Sequence, residues 1–185
     1  LKAQYLPGEQ ASPSFDRYAE ASAEGFAALD YPAGQEPVIV LESGRALVDD
    51  AGTMVSTVLA NKRMSDGQRG LVVDAGVNVL FTSFWYDHDV VPAQPFGGIS
   101  EPTVMYGPLC MNIDVVRDTV SFPAMRTGDR VVFRNVGAYN VTQWMQFITY
   151  RPAVVLVRAN GQHAIIRRAE NLESILSHEE VPSWV

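Results

Sequence analysis

The chain reads as a mainly β protein with some α, and two observations predict it. Beyond Ala46 the sequence breaks into short apolar runs, TMVSTVLANKR, RGLVVDAG, TVMYGPLC, DTVSFPAM, DRVVFRNVG, RPAVVLVRANG and HAIIRRAE, separated by Gly, Pro, Asp and Asn turns. Before Ala46 stand one amphipathic helical pattern and one unbroken apolar run. The texture therefore predicts a mostly antiparallel barrel or sandwich over about 47–170, preceded by a piece of an α/β layer or barrel.

Taken in order, Phe15, Tyr18, Ala19, Ser22 and Phe26 recur at helical spacing behind a cap candidate, Ser14, and ahead of Tyr31-Pro32-Ala33-Gly34. They predict a helix over about 14–29. After the PAGQEP turn, VIVLE is apolar, mostly β-branched and without alternation, as expected of a strand buried on both faces at 38–42. Three later stretches, VNVLFTSFWYDH, NVTQWMQFI and NLESILSHEE, read as helical or irregular, and no internal repeat suggests a solenoid.

Composition narrows the function. The 185 residues are 47% apolar, enough for a real core, and carry 14 basic against 21 acidic residues for a net charge of -7. That balance repels phosphate backbones and anionic lipid, so neither nucleic acid nor membrane is expected as a partner. The lone Cys110 excludes an intrachain disulfide and a cysteine-rich zinc site; no metal is expected, and a reducing compartment is. With no stretch approaching the ~20 apolar residues of a membrane span, the cytoplasm is the expected location. The chain opens at Leu1 without methionine, so a fragment, a processed product and a natural short subunit all stand open.

Four short motifs follow one another: ESGR at 42–45, WYDH at 85–88, GPLCMNID at 107–114 and GDRVVFRNVGAYN at 128–140. Each is weak alone. Their order resembles the pyridoxal-phosphate-dependent ornithine/diaminopimelate decarboxylases, which carry EPGR, a tyrosine segment (YDH in the ornithine branch), GPxC with a downstream aspartate, and GD…GAY. RPAVVLVRANG is similar to that family's closing strands. The resemblance runs from about residue 15 to 170. It implies the C-terminal part of an alanine-racemase-like enzyme: the last helix and strand of a cofactor-binding (β/α) barrel over 1–46, and a C-terminal antiparallel β-barrel domain over 47–185.

What the resemblance implies for single residues can be set beside their plainer readings. Glu42 would keep the cofactor's pyridine nitrogen protonated, or be a solvated carboxylate at a strand end. Gly44, Arg45 and Tyr139 would hold the cofactor phosphate, or be an ordinary turn and a packed tyrosine. Cys110 would cross a dimer interface as the catalytic proton donor, or be a small buried apolar residue. Asp87 would meet the distal amine of the substrate, or be a solvated charge. Ser43 replaces the family's proline and loosens the turn; Met111 replaces an acidic substrate-binding residue, which removes half of the expected charge pairing.

The resemblance thus implies a decarboxylase of a basic or diamino amino acid, or of a conjugate of one, working as a homodimer. The lysine that would hold the cofactor is missing, because Lys2 stands too close to ESGR and Lys62 lies beyond it; this chain by itself is expected to be inactive. Three other readings stand beside this one: a non-catalytic subunit completing a partner's site, a racemase-like enzyme, and a plain β-barrel binding module. A strand at 38–42 without barrel neighbours would also expose unpaired backbone, which predicts a dimer or larger assembly.

Overall fold

The computed structural model describes residues 13–185. Helix α1, Phe15–Ala27, begins where the Ser14 side chain accepts from the Arg17 N–H at 3.4 Å. Its apolar side chains, Phe15 and Tyr18 among them, are exposed, and none of its residues is buried.

Eight strands follow: β1 Thr53–Arg63, β2 Arg69–Val73, β3 Val90–Pro92, β4 Glu101–Tyr106, β5 Val115–Phe122, β6 Arg130–Arg134, β7 Val154–Val157 and β8 His163–Arg167. A short helix, α2, spans Leu172–Leu176 behind a capping box in which Asn171 and Ser174 exchange side-chain and backbone bonds. The first six strands form one sheet in the order β3-β6-β1-β2-β4-β5, while β7 and β8 make a separate hairpin.

All pairings are antiparallel except β2 with β4, which run parallel from Arg69↔Thr103 to Val72↔Tyr106. Register shifts interrupt β1 against β2 at Val58/Ala60 and β4 against β5 at Thr103/Met105; such irregularities bend strands, and the sheet curls into a half-barrel. The concave face is the core, with Val58, Leu71, Val73, Met105, Val116, Phe122, Val131 and Phe133 packed together. Trp144 closes its end, its indole N–H donating to the Val79 carbonyl at 2.8 Å. The mainly β fold with some α read from the sequence is the fold observed.

One local expectation changes. Residues 38–42 form no strand: Val38, Ile39, Val40 and Leu41 are exposed, Val38 to 88%, and no neighbouring strand offers them a ladder. A two-sided apolar strand exists only between partners, which the described residues do not provide. The 77–88 and 140–148 stretches, read as helical or irregular, are irregular apart from the 3-10 turns Phe81–Phe84 and Val141–Gln143.

The β7–β8 hairpin is tied off at its base. Arg151 donates through Nε to Glu170 Oε1 at 2.6 Å and through its backbone N–H to Oε2 at 3.1 Å. The Arg151 guanidinium beside it holds the Glu170 carboxyl far below the ordinary 4.5, at about 2. A carboxyl depressed by folding contributes stability above its unfolded value, and that stability is lost as pH falls from 4.5 toward 2. Melting curves of Glu170→Gln and the parent are expected to differ at pH 7, the parent being more stable, and to converge by pH 2; a constant gap would contradict the assignment.

Candidate functional site

The segment that follows ESGR meets the start of GAYN backbone to backbone. Gly44–Leu47 forms a 3-10 turn, the following residues close with Asp49 N–H donating to the Arg45 carbonyl at 3.0 Å, and Gly52 enters β1. Against this turn lies the loop after β6: Gly137 N–H donates to Asp49 O at 3.0 Å and Val136 N–H to Gly52 O at 3.1 Å. The approach admits no side chain, since a Cβ on Gly137 would stand 1.9 Å from the Val48 carbonyl oxygen and one on Gly52 would stand 2.2 Å from Gly137 N.

That contact delivers Tyr139 to Gly44. Tyr139 adopts φ 63°, uncommon for a residue with a side chain, and its hydroxyl lies over Gly44, where a Cβ would meet it at 2.7 Å. Gly44 is itself left-handed at φ 50°. Arg45 lies beside them, with Nη2 2.5 Å from Asp49 Oδ2 and its guanidinium 4.0 Å above the Tyr86 ring. Its Nη1 is buried and has no hydrogen-bond partner among the described residues. Arg45, Ala46, Asp49, Asp50 and Asn135 line a cleft of about 280 Å³.

A buried network supports the tyrosine. The Asn140 side chain donates to the Val136 carbonyl at 3.0 Å and the Ala138 carbonyl at 3.4 Å, gripping the turn on either side of Gly137. Its Oδ1 accepts from the Thr82 N–H at 3.2 Å and hydroxyl at 2.9 Å, and Thr82 Oγ1 lies 2.7 Å from His88 Nε2. With the imidazole proton on Nε2, the three side chains form one directed chain. Burial, and next the Arg45 guanidinium, push the His88 pKa below its usual value, which keeps the ring neutral.

Asp87, beside His88, pairs through Oδ2 with Arg117 Nη1 of β5 at 2.9 Å. The GPLCMNID loop joins β4 to β5 and is folded around Asp114, whose Oδ1 accepts from Val77 N–H at 2.8 Å and Oδ2 from Leu109 N–H at 2.7 Å. Burial pushes this carboxyl above the usual carboxylate range, and the two backbone donors pull it partway back. The loop thereby presents Cys110 as an exposed thiol, with Met111 half-buried next to it.

The structure therefore brings Tyr139 onto Gly44, next to Arg45 in the chain, and, through Tyr86, places the WYDH segment against Arg45. Glu42 stays apart, exposed on the extended segment. Sequence reasoning gave no role to Asp49, Thr82, His88, Arg117 or Asn140; His88 and Asn140 were nonetheless visible as the closing letters of WYDH and GAYN.

Residues 45–137 match the family described as pyridoxal-dependent decarboxylase, C-terminal sheet domain. The diaminopimelate decarboxylase of Methanothermobacter thermautotrophicus is 32% identical over 154 residues, covering 80% of this chain and 35% of that protein. The one from Helicobacter pylori is 29% identical over 150 residues, covering 80% and 37%. A crystal structure of a diaminopimelate decarboxylase superposes with a TM-score of 0.75 at 28% identity, over 96% of this chain and 45% of that one. The chain thus spans little more than a third of the length of these curated relatives. On the order of its motifs, its half-barrel sheet and this family match, the chain belongs to the pyridoxal-dependent decarboxylases, as a bearer of their C-terminal sheet domain.

Proposed function

We propose that the chain is the C-terminal part of a pyridoxal-phosphate-dependent decarboxylase acting on a basic or diamino amino acid, or on a conjugate of one. The docking of Tyr139 over Gly44, with Arg45 the next residue in the chain, carries this reading. The Gly44 backbone, the neighbouring Arg45 guanidinium and the Tyr139 hydroxyl offer a donor set that suits a phosphate monoester. The residues present thus fit the cofactor's phosphate end.

Pyridoxal phosphate, when bound, supplies an electron sink for the pair left behind as carbon dioxide departs. The chain's own groups do the rest. Gly44, Arg45 and Tyr139 hold the phosphate; Glu42 keeps a proton on the pyridine nitrogen; Asp87 and Met111 face the substrate side chain; and the Cys110 thiol returns a proton to the substrate carbon. Residues 1–46 belong in this reading to the cofactor-binding barrel and 47–185 to the sheet domain, and a homodimer brings Cys110 to the opposite barrel.

Lys62 is exposed on β1 opposite Gly70, and Lys2 lies outside the described residues; neither is assigned to the cofactor, so this chain alone is expected to be inactive. The relatives named above are decarboxylases, which lends no support to a racemase or a non-catalytic subunit. Among the described residues no helix is long and apolar enough to cross a membrane, and a cytoplasmic enzyme is the compartment proposed.

The test is Cys110→Ala in the full-length enzyme. Turnover is expected to fall about 100-fold, the lower range for loss of a positioned proton donor, and the share of aldehyde among the products to rise. Unchanged turnover and product ratio would reduce Cys110 to a surface residue and remove it from the site.

A further inference from the structure

The carboxylate expected to meet a substrate amine is already engaged. Asp87 Oδ2 lies 2.9 Å from Arg117 Nη1, and both side chains are about three-quarters buried. Arg117 projects from the body of β5, in register with Met105, so it is a fixed partner rather than a mobile one. The next carboxylate in this corner, Asp49, is taken by Arg45 at 2.5 Å. His88, a further titratable group, has the Arg45, Asp49 and Arg117 charges around it and is kept neutral by burial. Met111, on the adjoining loop, adds a thioether and no charge.

Each of the two guanidinium groups here is therefore paired with one carboxylate. An ammonium brought beside Asp87 would also meet the Arg117 guanidinium, and like charges at that range repel about as strongly as Asp87 attracts. An uncharged group meets no such opposition and gains contact with Met111.

We propose that Arg117 is a specificity-determining residue: by holding Asp87 it selects a substrate whose side chain ends in an uncharged group over one ending in a free ammonium. This rests on the decarboxylase reading above, and within it favours the conjugate, in which the distal nitrogen is capped.

The test uses the full-length holoenzyme and two ligands that differ in the terminal ammonium, L-lysine and L-norleucine, with dissociation constants measured by calorimetry. The parent is expected to bind norleucine at least as tightly as lysine. Arg117→Met should shift the ratio of the two constants at least tenfold toward lysine, Arg117→Lys should leave it near the parent value, and adding Asp87→Asn to Arg117→Met should remove the gain. A parent that prefers lysine, or a ratio unmoved in Arg117→Met, overturns the proposal. A purely structural role for Arg117 would weaken both ligands together and leave that ratio unmoved. Failure to decarboxylate any amino acid would instead overturn the activity reading, which the ligand ratio does not probe.

Discussion

Replacing Asp114 by alanine is expected to cost about 3–5 kcal/mol of folding stability, from two stranded backbone donors at ~1–3 kcal/mol each. The carboxylate takes the Val77 and Leu109 N–H groups at 2.8 and 2.7 Å, and it fills space that Gly76 and Gly107 leave open. A Cβ on Gly107 would fall 2.3 Å from Asp114 Oδ1 and one on Gly76 2.6 Å from it, so no other side chain can substitute from that direction. Asn keeps the shape but turns one acceptor into a donor, so Asp114→Asn should fall between alanine and the parent. Urea denaturation measures both. A loss below about 1 kcal/mol for alanine would mean that water satisfies the two N–H groups as well as the carboxylate does.

The second large effect is expected at Arg69, a 2% exposed arginine inside an otherwise apolar sheet. Its Nε donates to Thr103 Oγ1 at 2.8 Å, its Nη2 to the Phe122 carbonyl, and its Nη1 lies 3.1 Å from Glu101 Oε1. The guanidinium thus bridges β2, β4 and the end of β5. Alanine would leave a cavity and an unpaired carbonyl, costing about 3–5 kcal/mol, whereas methionine keeps the volume and should cost markedly less. Glu101→Ala is expected to be worse than Arg69→Met, because it leaves the buried cation without its counter-ion; Arg63, which also pairs with Glu101, loses its partner as well. Thermal melts of the three variants give the ranking. If Arg69→Met were as damaging as Arg69→Ala, the hydrogen bonds would outweigh the packing.

Much of this architecture could be read from local pattern. Seven of the strands lie in apolar runs bounded by turn residues, because each run is long enough to span a strand and each turn carries Gly, Pro, Asp or Asn. The eighth, β3, is three residues ending in Pro92, too short for any periodicity. The 38–42 run failed for the opposite reason: its composition suits a two-sided strand, but composition does not supply neighbours. Nor does periodicity say which strand pairs with which, so the parallel β2–β4 register was invisible. In the site, motif order pointed to Gly44, Arg45 and Tyr139. The Thr82–Asn140 bond and the Asp87–Arg117 pair join residues far apart in sequence, and no local signal links them.

The close passage of Gly137 over Val48 and Gly52 bears on how such enzymes can be recombined. Two backbone segments share a space with no room for even a methyl group, so the loops at 48–52 and 136–137 have to match in path as well as in residue type. A hybrid made by crossing over with a relative between these positions would inherit one loop from each parent. Its misfit would fall beside Gly44 and Tyr139. Exchanges that move both loops as a unit, or leave both untouched, keep that seam intact; a cassette of β2 through β5, lying between the loops in sequence, leaves both in place provided that it keeps Thr82, which holds Asn140.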